Sequence, residues 1–195
     1  GEARRGESPR REARPARNVH EVEGLPVTYD AIAHLRDLSA TAAKAADTLG
    51  ASIEKARALV QATVDRGGTL FFCGNGGSAA DAQHLATEYV VRYQRERRAI
   101  AAIALTTDTS LLTAAANDYS FDLVFARQVE ALGKKGDLLV LHTTSGKSPN
   151  LIKAAEAAKA RGVATLALSA KGGGPLASVV DHCVVIPTDR TDRAQ

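Results

Sequence analysis

The residues TLFFCGNGGSAADAQHLATE, numbers 69–88, set the architecture of the whole chain. The apolar part, Thr69–Cys73, predicts a buried β-strand, and the part rich in alanine and glutamine after Ser78 predicts a helix. Between them, the glycines allow backbone N–H groups to approach a ligand closely, and the helix N-terminus adds positive potential. Ser78 stands where a helix N-cap is expected. This stretch therefore predicts an anion site at a strand–turn–helix junction.

His84 and Glu88 are four residues apart on the predicted helix and so share one of its faces. The pair could be two metal ligands, a catalytic base with a helper, or a solvated surface pair. All three interpretations are compatible with the spacing. Either of the first two would place a reactive group within a few turns of the anion site.

A second loop of similar chemistry is TTSGKS, residues 143–148, which follows the apolar run Asp137–His142. Its hydroxyl groups, its glycine and the helix start that follows form a neutral cradle for an oxyanion, to which Lys147 could add charge. The spacing excludes a Walker A loop. The alternative interpretation is a plain helix start with Ser148 as N-cap. Because a similar loop ends the first predicted strand, we favour phosphate binding.

Other polar residues have simpler interpretations. Asp108 is expected to cap a helix, whereas capping and ligand contact are equally consistent with Asn117 and Asp118. His182 lies inside a predicted strand, which favours a structural role. The segment Lys171–Gly174 is expected to be a turn.

The apolar pattern predicts an N-terminal helical segment over residues 28–66, either two helices or one helix bent at Gly50. After it, apolar strands alternate with helices, which predicts an α/β protein with a three-layer, doubly wound parallel sheet. The predicted strands are 69–73, 100–105, 137–142, 163–169 and 182–186. Ligands bind such sheets beyond the carboxyl ends of the strands. The loops expected to matter are 74–78, 106–110, 143–148 and 170–174.

Composition narrows the class of protein. The 195 residues suit one domain, and no apolar run is long enough to span a bilayer. Cys73 and Cys183 both fall in predicted strands, which favours a reduced, cytoplasmic protein. Residues 1–25 are rich in arginine and poor in apolar side chains, so we expect a disordered basic tail. Interspersed glutamates and the lack of stacking aromatic residues argue against nucleic acid as a partner.

Taken together, the motifs resemble the sugar isomerase (SIS) fold and, within it, the phosphoheptose isomerases, also called sedoheptulose-7-phosphate isomerases. The resemblance runs from about residue 39 to residue 195. The motifs that carry it are GNGGSAADAQH at 74–84 with Glu88, LTA at 112–114 followed by Asn117 and Asp118, TSG at 144–146 with Ser148 and Asn150, and DRAQ at 192–195. It implies a flavodoxin-like SIS domain over residues 26–195 that includes N-terminal helices.

The resemblance implies an aldose–ketose isomerase that converts sedoheptulose 7-phosphate to glycero-manno-heptose 7-phosphate, the first step of nucleotide-activated heptose synthesis. Such a reaction moves a proton between adjacent carbons through an enediol, and one carboxylate can carry it when an acid or a metal steadies the developing oxyanion. Phosphate binding away from the reacting carbons supplies orientation. Glu88 is our candidate base.

The functional positions of the family fall on matching residues of this chain. Contacts with substrate and phosphate are implied for Asn75, Gly76, Gly77, Ser78, Glu88, Asn117, Asp118, Thr143, Thr144, Ser145, Ser148 and Gln195. One zinc ion per site is implied, bound by His84, Glu88 and Gln195, with Glu88 also the catalytic base. The family works as a homotetramer with sites near the subunit interfaces.

The chain departs from the family pattern in two places. The family has a histidine, both zinc ligand and acid, about two helical turns after the position of Gln195. We expect the final helix that would carry it to be missing from this sequence, which also contains no methionine. In the second loop, His142, Thr143 and Lys147 replace a segment that is usually richer in serine and asparagine.

Two non-catalytic proteins of the same fold are the alternatives. One is a replication-initiator-associating relative, which lacks a carboxylate at the position of Glu88. The other is a module that senses a sugar phosphate without isomerising it. Glu88 together with Gln195 favours the enzyme.

Overall fold

The computed structural model describes residues 30–194, so the predicted tail and Gln195 lie outside the described part of the chain. Five parallel strands form one sheet: β1 (Leu70–Gly74), β2 (Ala102–Ala104), β3 (Leu138–His142), β4 (Ala164–Ser169) and β5 (His182–Val185). The helices are α1 (Ala31–Asp65), α2 (Gly77–Val90), α3 (Thr109–Asp118), α4 (Ala126–Leu132), α5 (Pro149–Ala160) and α6 (Thr191–Ala194). Short 3₁₀ turns cover Phe121–Leu123, Lys171–Gly173 and Pro175–Ser178. The predicted α/β class is confirmed.

The strand order β2-β1-β3-β4-β5 reverses between β1 and β3. These two strands pair directly, and their register sets Gly74 opposite His142 at the carboxyl end. In a doubly wound sheet of this flavodoxin-like order, ligands bind at the point of reversal. The two loops predicted to bind phosphate therefore leave the sheet side by side.

Both faces of the sheet are covered, which confirms the three layers. Successive strand residues point to opposite faces. On one face, Phe71 and Leu139 pack in a cluster with Leu151 of α5. On the other face, Phe72 and Val140 belong to a cluster that includes alanines of α2 and apolar residues of α1.

The N-terminal segment is one helix, so of the two predicted alternatives, two helices or one helix bent at Gly50, the structure shows the single helix. Asp30 caps α1, since its Oδ1 accepts a hydrogen bond of 3.0 Å from the N–H of Ala33. Gly50 lies within the helix, and among the described residues no atom outside its own stretch of helix comes within 4 Å of the position of an added Cβ. A single glycine costs a helix only about 1 kcal/mol relative to alanine, and α1 continues through it.

His182 has a structural role in the contact between α1 and the last strand. The Nε2 atom of His182 lies 3.1 Å from the Oγ of Ser52 and 2.8 Å from its carbonyl oxygen. The ring thus ties β5 to the middle of α1, as expected for a structural histidine. None of the described helices has the length and apolar character needed to cross a membrane.

The two cysteines lie in strands, as predicted. Cys73 is fully buried in β1, and burial raises the pKa of its thiol far above the usual value. Cys183 in β5 is half-buried, and burial again raises the thiol pKa. Both thiols are free.

Candidate active site

A pair of asparagines joins the two loops at the reversal of strand order. Asn75 follows β1, and Asn150 lies in the first turn of α5. Their side-chain amides exchange two hydrogen bonds, of 3.0 and 2.9 Å. Asn150 is only 2% exposed and Asn75 is half-buried, so this reciprocal pair is a partly buried connection between the loops. Asn150 belongs to a motif noted in the sequence, but no pattern along the chain assigned it a role.

The joined loops enclose a cavity of about 210 Å³. It is lined by Asn75, Ser78, His142, Thr143, Thr144, Ser145, Ser148 and Leu151. Six of these residues are predicted phosphate or substrate contacts, and Gly76 and Gly77 lie in the turn beside them. Helices α2 and α5 both begin at this cavity, so their free N–H groups and dipoles favour an anion there.

Some polar groups of the second loop hold the loop in shape. The Oγ1 of Thr143 accepts a hydrogen bond of 3.1 Å from the N–H of Gly146. The Oγ of Ser145 accepts one of 3.3 Å from the N–H of Lys147. The Lys147 side chain is exposed and does not line the cavity, so the cradle is neutral.

Three other hydroxyl groups are available to a ligand. Those of Ser78, Thr144 and Ser148 make no hydrogen bond to another residue of the described chain. The prediction of Ser78 as N-cap is wrong, because the N-cap of α2 is Gly76, two residues earlier, with φ 59° and ψ −123°. Ser148 does occupy the N-cap position of α5, but its side chain makes no capping bond. Both hydroxyls are thus free to donate to a phosphate oxygen.

The turn after β4 supports the second loop from behind. A Cβ on Gly146, whose φ is 62°, would overlap the carbonyl oxygen of Gly173. The carbonyl of Gly146 in turn accepts a hydrogen bond of 3.1 Å from the N–H of Leu176. Residues 171–174 form a turn, as predicted, but they also buttress the phosphate loop.

A second cavity, of about 190 Å³, shares Ser78, His142, Thr143 and Thr144 with the first. It is also lined by Asp81, Leu168, Ser169, Val184, Ile186 and Ala194. Ala194 directly precedes Gln195, which is outside the described residues. The roles expected for Gln195 therefore stay predictions.

Helix α6, which leads to the second cavity, is held on α1 by charges. The Nε of Arg193 lies 2.7 Å from an Asp37 carboxylate oxygen, and this guanidinium is nearly buried, with 7% of its side chain exposed. Hydrogen bonds from Arg190 are the main cause that lowers the pKa of Asp192 to about 2, with smaller contributions from the charges of Arg190 and Arg193. Asp192 therefore stays ionised at every pH at which the protein is expected to work.

His84 and Glu88 share one face of α2, as predicted. The His84 Nε2 lies 3.7 Å from a Glu88 carboxylate oxygen, and the Glu88 side chain is 26% exposed. They border their own cavity of about 440 Å³, together with Leu85, Tyr89, Tyr93 and Arg97. None of these residues lines the two cavities beside the phosphate loops. Within this chain, the candidate base and the cavity between the two loops are therefore apart.

Arg97 is a candidate site residue beside Glu88 that sequence reasoning missed. Its guanidinium donates a hydrogen bond to the backbone carbonyl of Glu88. Its charge also opposes the effect of burial, which raises the pKa of Tyr89. A run of basic residues usually indicates a solvated surface, and Arg97 lies within such a run at residues 92–98.

Asn117 and Asp118 lie at the end of α3, outside the cavities described above. The Asn117 amide donates a hydrogen bond of 2.9 Å to the Asp118 carboxylate. Asp118 lines a groove between α3 and α4. The expected capping role of Asp108 is confirmed, since it accepts a hydrogen bond of 2.9 Å from the N–H of Leu111.

The donor atoms of His84 and Glu88 suit zinc, which binds imidazole nitrogen and carboxylate oxygen. Their separation of 3.7 Å is short enough for both to bind one ion after a small side-chain adjustment. Among residues 30–194, no group of three or more histidine, cysteine or acidic side chains is arranged to hold a metal. The described residues thus include two side chains that could bind zinc, fewer than a zinc site requires.

Comparison with known proteins identifies the family of this chain. Residues 33–170 match the family model described as the SIS domain. A phosphoheptose isomerase of Campylobacter jejuni is 51% identical over 153 residues, which span 78% of this chain and 82% of the relative. One from Thiobacillus denitrificans is 45% identical over 174 residues, 88% of each chain.

Solved structures agree with this result. The phosphoheptose isomerase of Neisseria gonorrhoeae superposes with a TM-score of 0.79 at 42% identity, covering 84% of this chain and 87% of that one. The one from Francisella tularensis gives 0.80 at 32% identity, with the same coverage. The sugar isomerase domain of an RpiR transcription factor from Sphaerobacter thermophilus, 22% identical with a TM-score of 0.52, shares the fold alone. The chain belongs to the phosphoheptose isomerase family of SIS-domain proteins.

Proposed function

We propose that the protein is an aldose–ketose isomerase that converts sedoheptulose 7-phosphate to glycero-manno-heptose 7-phosphate, the first step of nucleotide-activated heptose synthesis. The observation that carries the proposal is the meeting of two hydroxyl-bearing loops at the reversal of strand order, in a chain of this family. A sugar phosphate is the ligand that such a neutral cradle with two helix N-termini suits.

In this proposal, the phosphate ester lies in the cradle and orients the sugar. The free hydroxyls of Ser78, Thr144 and Ser148 donate to its oxygens, together with backbone N–H groups at the starts of α2 and α5. The reacting carbons are at the other end of the seven-carbon chain. Binding at the phosphate thus contributes orientation without touching the chemistry.

Glu88 carries the proton. Its carboxylate removes a proton from the first carbon of the ketose, while the carbonyl oxygen on the second carbon gains a proton, which forms the enediol. Return of the carbon-bound proton to the second carbon and loss of the hydroxyl proton from the first oxygen leave the aldose. The partial exposure of the Glu88 side chain supports this role, since a substrate can reach it.

We also propose one zinc ion per site, with His84, Glu88 and Gln195 as protein ligands. When bound, it would stabilise the negative charge that develops on the enediol oxygens. Metal analysis of the purified full-length chain tests this point. Zinc that stays at one equivalent in a His84→Ala variant would exclude His84 as a ligand.

A homotetramer with sites near subunit interfaces is the assembly we propose. It is supported by the separation, within one subunit, of Glu88 and of the pair Asn117 and Asp118 from the phosphate cradle. A neighbouring copy can complete the site. It is also supported by large apolar side chains that α1 leaves exposed, namely Ile32, Leu35, Leu38 and Ile53. The free thiols of Cys73 and Cys183 support a cytoplasmic location.

Turnover in deuterated water tests the function. Full-length protein is incubated with sedoheptulose 7-phosphate, and NMR follows both the aldose product and exchange of hydrogen at the first two carbons. Product formation with exchange is the expected result. Binding without product or exchange would instead identify a sugar-phosphate-sensing module. The shared fold cannot make this distinction, because SIS domains also occur in a transcription factor.

A further inference from the structure

His142, the last residue of β3, lies between the two cavities at the phosphate loops. It is 6% exposed and lines both of them. Its ring also packs near Phe72 of β1, with centroids 6.2 Å apart. A wall of the proposed binding site is therefore a buried imidazole, in a strand whose other residues are leucine and valine.

The imidazole of His142 has no hydrogen-bond partner. Its Nε2 is the one buried side-chain nitrogen or oxygen without a partner in the part of the chain that the structure describes. His182 in the same sheet differs, because its Nε2 lies within hydrogen-bond distance of two oxygens of Ser52. An unsatisfied buried polar atom destabilises a protein, and such atoms are rare unless a ligand or water satisfies them.

Its charge state fits a hydrogen-bonding role. Burial lowers the pKa of His142, and the negative charge of Asp81 opposes this only in part. The ring is therefore neutral at physiological pH, with one N–H donor and one acceptor nitrogen. A neutral donor matches the cradle, where the other available groups are hydroxyls and backbone N–H groups.

We propose that His142 is a substrate-binding residue whose imidazole hydrogen bonds to an oxygen of the phosphorylated sugar held between the two loops. This inference rests on the proposed function. The oxygen belongs either to the phosphate or to a sugar hydroxyl beside it. In the ligand-free protein the Nε2 is buried without a partner, which costs stability. The ring turns about its Cβ–Cγ bond to reach the ligand oxygen, and this contact satisfies the nitrogen.

The experiment compares His142→Leu with His182→Leu, a matched histidine of the same sheet that has its partners. Calorimetry gives the apparent Kd for sedoheptulose 7-phosphate, and thermal unfolding gives the Tm of the free protein. For His142→Leu we expect Kd to rise about tenfold, the loss of one hydrogen bond, with Tm unchanged or higher. For His182→Leu we expect a lower Tm and an unchanged Kd. A His142→Gln variant should recover part of the affinity.

An unchanged Kd in His142→Leu would overturn the inference while leaving the proposed function intact. Wild-type protein that neither binds nor isomerises the sugar would instead overturn the proposed function. Inhibition by inorganic phosphate separates the two sources of the oxygen, because only a phosphate contact weakens it in His142→Leu. If that variant does not fold, a crystal structure of the wild-type complex decides: a ring nitrogen farther than about 3.5 Å from every ligand oxygen would refute the contact.

Discussion

The hydroxyl of Ser78, which we propose binds phosphate, and the carboxylate of Glu88 stand ten residues apart on α2. At about 1.5 Å per residue, this places them about 15 Å apart along the helix axis. The proposed substrate carries its phosphate and its reacting carbons at opposite ends. One substrate molecule therefore needs phosphate binding and proton transfer at two places. In a single chain these two places open into separate cavities, which is why we propose that a neighbouring copy completes the site.

Replacing the candidate base tests its role at the level of one side chain. In Glu88→Gln, we expect turnover to fall at least 10²–10⁴-fold, because an amide cannot accept the proton. The Tm should change little, since the side chain is partly exposed. Glu130→Gln, which removes a similar carboxylate from the exposed Arg127–Glu130 pair of α4, is the control and should turn over normally. Normal rates from Glu88→Gln would remove Glu88 from the mechanism.

The asparagine pair is tested by a double-mutant cycle. Asn75→Ala and Asn150→Ala should each lower the free energy of unfolding by about 1–3 kcal/mol, because each leaves a polar partner unsatisfied. Since both substitutions remove the same contact, the double variant should lose less free energy of unfolding than the sum of the two single losses. The expected coupling energy is about 1 kcal/mol. Both variants should also raise the KM. Additive effects measured by urea unfolding would show that the pair does not join the loops.

The shape of the proposed phosphate cradle depends on contacts between loops and not only on single side chains. The second loop is backed by the turn after β4, with Gly146 against Gly173. The starts of α2 and α5 supply the backbone donors. Hydroxyl groups matter here because the backbone leaves them free, as at Ser78, where α2 begins earlier than a serine N-cap would allow.

Two glycine substitutions test this contact between elements. Gly146→Ala should lower the free energy of unfolding by about 1–3 kcal/mol and raise the KM, because the new Cβ overlaps the Gly173 backbone and the φ is positive. Gly50→Ala in α1 is the control, since nothing crowds that site and alanine favours a helix. It should stabilise the protein by about 0.5–1 kcal/mol. Urea unfolding and steady-state kinetics measure both, and an unchanged KM in Gly146→Ala would argue against the buttress.

The proposed site depends on the proposed assembly of several copies, which is a property of the whole molecule. A subunit alone leaves Glu88 and the cradle apart, and α1 presents apolar side chains to solvent. Burial of those side chains between copies would stabilise the assembly in proportion to the apolar area that is removed from water. Activity should then be lost whenever the assembly is lost.

Light scattering after size-exclusion chromatography measures this assembly. The protein should elute with about four times the mass of one chain, which is 20.4 kDa for the 195 residues of this sequence. Leu35→Glu should give smaller species and little turnover, because an unpaired charge is costly at an apolar interface. Lys55→Glu, at an exposed charged position of the same helix, should leave both mass and turnover unchanged. A tetramer that survives Leu35→Glu would place the interface elsewhere.

Local patterns were enough to establish much of this protein. Apolar runs and glycine loops predict the α/β class and the strands within a few residues, and the two hydroxyl-rich loops lie together at the ends of their strands, as predicted. These features are local because the pleat of a strand, the turn of a helix and a helix N-terminus depend on neighbours in the chain. Gly50 by itself did not decide between one N-terminal helix and two, since one glycine costs a helix only about 1 kcal/mol, and α1 runs through it.

Long-range packing determined the features that local patterns did not predict. Asn75 and Asn150 are 75 residues apart, and only the pairing of β1 with β3 brings them together. The same pairing leaves His142 buried without a partner, while the packing of α2 on the sheet turns Glu88 toward a separate cavity. Contacts of this kind arise from strand order and register, which hydrophobic burial selects over the entire chain and no short stretch of residues encodes.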